Sequence, residues 1–202
     1  MTFSILTAAI VFGLIFPVEL PDKTFIATLV LATRYRPLMV WIGVTAAFAV
    51  QTWVGVTRGG LLAKLPTQPV QAVAAAMFVL GGFLLLRGAG KADAEEADVE
   101  EEFAAKVTAP ATGLRAIGAS FLILFLAEWG DLSQLLTASL AARYQDPLSV
   151  GVGAFLALAT ISGLGAALGR QLLKRMRLAT IRRIGGAVCL LLAAVTVIEA
   201  LR

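Results

Sequence analysis

Histidine is missing from this 202-residue chain, cysteine occurs once, and charged residues make up only 15% of it. Without an imidazole there is no Ser-His-Asp triad, no histidine-ligated zinc and no imidazole proton relay. The single Cys189 lies in an apolar run, forms no internal disulfide and reads as a packing residue that says nothing of redox compartment. The shortage of charge excludes an ordinary soluble domain, where about a quarter of the residues are charged. Acid is scarcer still outside one segment: seven of the 13 Asp and Glu fall within residues 91–102, leaving six for the rest of the chain.

What fills the sequence is apolar. Hydrophobic residues make up 59% of it, and the stretches 37–57, 65–86 and 147–169 contain no charge at all. About 20 helical residues cross the hydrocarbon of a bilayer, so each of these can span it. A run over 184–198 reaches that length if it begins near Thr180, with Arg182 and Arg183 snorkelling at its end. Two more, 2–33 and 116–142, are long but carry charges at their middles. The pattern predicts six spans. The first residues carry no basic group and no small-residue cleavage pattern follows, which argues against a signal peptide. The acidic segment and the Thr/Ala/Pro stretch after it read as a solvated linker, in part helical.

The chain also repeats itself. At an offset of 109, Glu19 meets Glu128, Asp22 meets Asp131, Thr28 meets Thr137 and Arg34-Tyr35 meets Arg143-Tyr144; one inserted residue later, Pro37 meets Pro147 and Gly43 meets Gly153. Three spans per copy is an odd number, so the second copy enters the bilayer from the opposite side and the repeats are inverted. The expected organisation is a repeat over 1–88, an acidic linker over 89–113 and a second repeat over 114–202. Twelve Lys and Arg fall on the linker's side of the membrane and four on the other, with Lys23 inside a span. The positive-inside rule then makes the linker cytoplasmic and places both termini outside, in what reads as a bacterial plasma membrane. The expected fold is all-α and polytopic, with the first and fourth helices broken or kinked.

Four of the six remaining acids, Glu19, Asp22, Glu128 and Asp131, lie near the middles of the first and fourth spans. A carboxylate at that depth costs at least a few kcal/mol and so marks a functional site. Spaced at i and i+3, the two acids of each copy share a face wherever the backbone is helical. A backbone breaker stands between them: Pro21, which lacks an N–H and clashes with the Pro17 carbonyl, and Gly130, which admits conformations closed to other residues. Broken helices at the midplane offer carbonyls and helix ends to an ion. Thr24, Ser133, Gln134 and Gln51 add oxygen ligands if they face inward. Lys23 is either a structural counter-charge or a mobile one that exchanges with the substrate. Trp129 lies inside a motif and could wall the site, whereas Trp41 and Trp53 read as interfacial anchors. Hard oxygen donors without His, Cys or Met favour Mn²⁺, Ca²⁺ or Mg²⁺ over copper or zinc.

The segments Glu19-Leu20-Pro21-Asp22-Lys23-Thr24 and Glu128-Trp129-Gly130-Asp131-Leu132-Ser133 resemble the paired Glu-x-Gly-Asp-Lys/Arg-Thr/Ser signatures of the cation/proton antiporter family of Golgi manganese and calcium transporters and bacterial manganese exporters, within the lysine-exporter superfamily. The resemblance covers nearly the whole chain. It implies that Glu19, Asp22, Glu128 and Asp131 bind the cation and that Thr24 and Ser133 assist. The chain departs from the signature at Pro21, where the family has Gly, and at Leu132, where it has a basic residue. The function so implied is efflux of Mn²⁺, or of Ca²⁺, driven by proton influx through alternating access. The expected partners are a divalent ion, protons and the bilayer, with no resident cofactor, no nucleic acid and no enzymatic reaction. Export of a cationic amino acid is the alternative within the same class, and a non-transporting membrane assembly protein the alternative outside it. An intramembrane aspartyl protease needs one Asp per catalytic span, and its chemistry does not call for the repeated Glu.

Overall fold

The computed structural model describes residues 3–20, 22–62, 67–107, 111–130, 132–175 and 178–200. Within them the chain is helical throughout: α1 (Ile5–Glu19), α2 (Lys23–Arg34), α3 (Pro37–Leu62), α4 (Thr67–Gly88), α5 (Ala92–Lys106), α6 (Leu114–Ala127), α7 (Leu132–Tyr144), α8 (Pro147–Arg175) and α9 (Leu178–Ala200). A single 3-10 turn over Ala89–Lys91 joins α4 to α5. By length and composition, the stretches Pro37–Leu61 and Pro147–Leu168 can each cross a membrane, and α1 with α2 counts as a third span if the bent pair is taken together.

Both acid-bearing stretches are interrupted, as their breakers predict. In the first, α1 stops at Glu19 and α2 starts at Lys23, with the two axes bent by 73°. Asp22 takes an extended conformation (φ −87°, ψ 168°) and caps α2, its carboxylate accepting from the Lys23 N–H at 2.7 Å. Pro21 itself lies outside the described residues. In the second, α6 ends at Ala127 and α7 resumes at Leu132. Gly130 has φ +83°, a left-handed backbone that any side chain would strain, although nothing stands within 4 Å of where a Cβ would be. The constraint there is conformational and not spatial.

The sequence repeat reappears as a repeat of contacts. Phe12 stacks on Phe16 at 5.5 Å in α1, and Phe121 on Phe125 at 5.4 Å in α6, each pair one turn before the acid and 109 positions from its counterpart. Helix α3 packs on α6 and α7, while α8 packs on α1 and α2. Each half thus embraces the broken pair of the other. Glycines permit this approach: a Cβ on Gly55 would lie 3.2 Å from the Gln134 carbonyl oxygen, and one on Gly165, its counterpart, 3.0 Å from that of Phe25. At Gly43 and Gly153 a Cβ would overlap the carbonyls of Ile117 and Ala8, again equivalent positions. Backbone cannot yield as a flexible side chain does. Gly43→Ala and Gly153→Ala should therefore each destabilise the detergent-solubilised protein by about 1–3 kcal/mol, read as a lowered unfolding midpoint. Gly60→Ala, at a position with open space around it, should not.

Two sequence expectations need correction here. The acidic segment is a continuous helix and not merely solvated: α5 lies on α2 and α9, burying Val99 and Phe103. Those two residues and Glu95 are spaced at i, i+4 and i+8 and so share one face, which supplies the apolar stripe that bulk composition hid. At its far end, Lys106 pairs with Glu102 at 2.7 Å and lies over the Phe103 ring at 4.5 Å; the hydrogen bond and charge of Lys106 hold the exposed Glu102 carboxyl below its usual range. Arg182 does not snorkel away from the protein. Only 9% exposed, it turns inward to the Gly88 carbonyl at 3.1 Å and to the Glu95 carboxylate.

Candidate cation site

The first half-site is built around the α1–α2 break. Glu19, the last residue of α1, is 1% exposed, and Asp22 opens α2. The helix stops between them, so they do not share a helical face. They are brought together by lining one cavity of about 520 Å³ from either side of the break. The dipoles suit both charge signs there: the N-terminus of α2 favours the Asp22 carboxylate, and the carbonyl end of α1 favours a cation. Pro21 has no N–H to give the Pro17 carbonyl, and α9 closes on that carbonyl at Gly185, where a Cβ would come within 2.6 Å of it. Lys23 is exposed and lines the cavity as well. Thr24 is fully buried behind it, its hydroxyl without a hydrogen-bond partner among the described residues, while its carbonyl accepts from the Thr28 hydroxyl at 2.7 Å.

The second half-site repeats the plan at the α6–α7 break. Glu128, 4% exposed, caps α6 at the position equivalent to Glu19. Ser133 and Gln134 are buried at the start of α7. Asp131 lies outside the described residues. Gln51 reaches this break from α3, its amide nitrogen donating at 3.2 Å to the Phe125 carbonyl, one of the last-turn carbonyls a helix end leaves without a partner. The sequence offers Gln51 as an oxygen ligand if it faces inward; in the structure its nitrogen supports the end of α6. Trp129, half exposed, packs on Phe125 at 4.9 Å.

Several participants were not singled out from sequence. Arg58, counted only as an outer-side charge, donates to the Gln134 side-chain oxygen at 3.4 Å and places its guanidinium 6.0 Å from the Trp129 ring. Glu95, Asp98 and Arg182 line the same cavity as Glu19 and Asp22. Spacing within α5 exposes the face that carries Glu95, yet nothing local says that the face meets α2. Among the described residues, the cavity lining does not include Glu128 or Gln134, and no three acidic side chains converge on a ready-made cage for a metal ion.

Buried carboxylates at paired helix breaks, each supported by a helix of the other half, are the parts of an ion-handling membrane protein and not of a soluble binding domain. Comparison with known proteins defines the class more closely. The sequence model of the GDT1 divalent cation/proton antiporter family matches twice, over residues 7–93 and 116–202, and the chain belongs to that family. It is 32% identical over 188 residues to a GDT1-like protein of Synechocystis, covering 88% of this chain and 90% of that one. It is 32% identical to the rice chloroplastic GDT1-like protein 2 and 30% identical to the Arabidopsis chloroplastic PAM71-homolog, in each case over 92% of this chain. Against those two plant proteins it spans 59% and 57% of their lengths. No solved structure matches it.

Proposed function

We propose that this chain exports a divalent cation, Mn²⁺ or, by the same donor chemistry, Ca²⁺, in exchange for protons. The observation that carries this reading is the burial of Glu19 and Glu128, 1% and 4% exposed, at equivalent points of two broken helices. Glu19, Asp22, Glu128 and Asp131 would form the ion's charged ligands, with Thr24 and Ser133 assisting and Gln51 and Gln134 supporting the second break. The ion would sit at one midplane site shared by both halves, as six spans, arranged as two inverted repeats over 1–88 and 114–202, alternate their access around it. The repeated contacts of α3 with α6–α7 and of α8 with α1–α2 support that symmetry. Four carboxylates and Lys23 sum to −3 when all are ionised, and a bound dication leaves −1. With the dication gone, protons take its place on the same oxygens, and no histidine exists to carry them instead.

The test is cation flux in proteoliposomes with the membrane potential clamped. An acid-outside gradient should drive Mn²⁺ out against its own gradient, with matching proton entry. Flux indifferent to the gradient would leave a channel or uniporter as the better account. Orientation has its own test in a Cys189→Ala background. A cysteine at Ala97, exposed on α5, should react with an impermeant thiol reagent only from the cytoplasmic side; labelling from outside intact cells would reverse the assignment.

A further inference from the structure

The contacts of the two halves match, with one exception that involves α4, α9 and the linker helix. Under the repeat, α1 corresponds to α6, α2 to α7, α3 to α8 and α4 to α9. The packings α3 on α6 and α7 are matched by α8 on α1 and α2, and those of α4 on α9 and of α3 on α8 map onto themselves. Two packings have no such match. Helix α9 rests on α1 and α4 rests on α7, whereas the corresponding packings of α4 on α6 and of α9 on α2 are slight or absent among the described residues. The α4–α9 pair therefore leans to one side of the symmetric frame. On that side, α5 packs against both α2 and α9, the two helices whose mutual packing is slight or absent among the described residues.

We infer that α5 is a removable wedge, standing between α2 and α9 to keep the cavity over Glu19 and Asp22 open, and that Glu95 and Arg182 are the latch that seats it. This rests on the alternating-access reading above. If the two halves exchange conformations, the opposite state brings α9 onto α2 and α4 onto α6, and α5 cannot keep its place on α2 and α9 while they meet. Its attachment suits a part that comes and goes. Among the described residues of α5, Val99 and Phe103 are buried and Ala104 is partly so, while Asp98, Glu100, Glu101 and Glu102 are exposed. The latch is a single ion pair on the cavity wall, Arg182 with Glu95, steadied by the Gly88 carbonyl at the end of α4. Arg182 thus ties α9, α4 and α5 together at one point. Having no repeat counterpart, α5 can act on one side of the membrane only.

Tethering tests this. Leu84 on α4 and Asp98 on α5 both line the cavity and are both exposed. In a Cys189→Ala background, Leu84→Cys with Asp98→Cys would be bridged by a bifunctional methanethiosulfonate and assayed for gradient-driven Mn²⁺ flux in proteoliposomes. Bridging should cut flux at least tenfold and reductant should restore it, while Mn²⁺ binding to this same double variant differs by less than twofold before and after bridging. Ala97→Cys alone, treated identically, controls for the reagent. Flux within twofold of the reduced sample after complete bridging would overturn the wedge. A second measurement leaves the cavity untouched: spin labels at Ala97 and Thr180, both exposed, should show two distance populations whose ratio changes between Ca²⁺-loaded and cation-free protein. One unchanged population in both conditions would also overturn it. If the unmodified chain moves no Mn²⁺ in response to a proton gradient, the transport reading fails first and the wedge with it.

Discussion

Glu19→Gln and Glu128→Gln, made singly, will each reduce cation/proton exchange by about a hundredfold while the protein still inserts and purifies normally. Glutamine keeps the size and one carbonyl oxygen of glutamate and removes only its charge, so the packing around these two buried positions is preserved. Breaking a buried charged interaction by deleting one partner costs about 3–5 kcal/mol, which corresponds to two or more decades in affinity. Asp22→Asn carries a further control within itself. Asp22 caps α2 through a hydrogen bond to the Lys23 N–H, and asparagine caps helices about as well as aspartate, so the substitution spares the cap and removes the ligand charge. Asp131→Asn is its counterpart. Asp146→Asn, at a loop acid that accepts from the Ser149 N–H at 3.2 Å, should transport normally. The measurement is initial Mn²⁺ flux at saturating and subsaturating cation; normal exchange by both Asp22→Asn and Asp131→Asn would remove the site from consideration.

Apparent cation affinity will fall as pH falls, by up to about tenfold per pH unit for each proton that must leave for the cation to enter. The sign follows from competition. Protonated carboxyls do not bind a dication, so lowering pH populates the form that rejects it, and raising pH restores binding until every site acid is ionised. Equilibrium Mn²⁺ binding to purified protein, titrated between mildly acidic and mildly alkaline pH, reads the slope directly, and the slope counts the exchanged protons. Affinity independent of pH would separate binding from protonation and undo the coupling. Glu102 is a poor competitor for this role, since its charge is already engaged by Lys106 on an exposed turn.

The sequence made the duplicated elements legible because symmetry writes each of them twice. Glu19 with Glu128 and Gly43 with Gly153 are visible as pairs in the sequence; the structure buries both glutamates at helix ends and sets both glycines against equivalent carbonyls. Breakers were legible for a different reason: Pro21 and Gly130 act through local backbone chemistry that needs no partner to be understood. What stayed hidden depends on partners far along the chain. Arg182 looked like an interfacial cation because nothing near it in sequence announces Glu95, 87 positions earlier. Gln51 was legible as a buried polar group, but which of its atoms works, and that it works on the Phe125 carbonyl, depends on how α3 meets α6. The α5 stripe of Glu95, Val99 and Phe103 was present in the spacing and masked by the six other acids around it.

The embrace of each broken pair by the other half has a consequence for biosynthesis. When the first three apolar segments have left the ribosome, α1 and α2 lack α8, and α3 lacks α6 and α7. The carbonyls of Ala8 and Phe25, which later lie against Gly153 and Gly165, lack those neighbours until α8 is made. The α1–α2 pair therefore cannot take its final packing until α8 has been made, and the nascent first half must be held in the membrane without those neighbours until then.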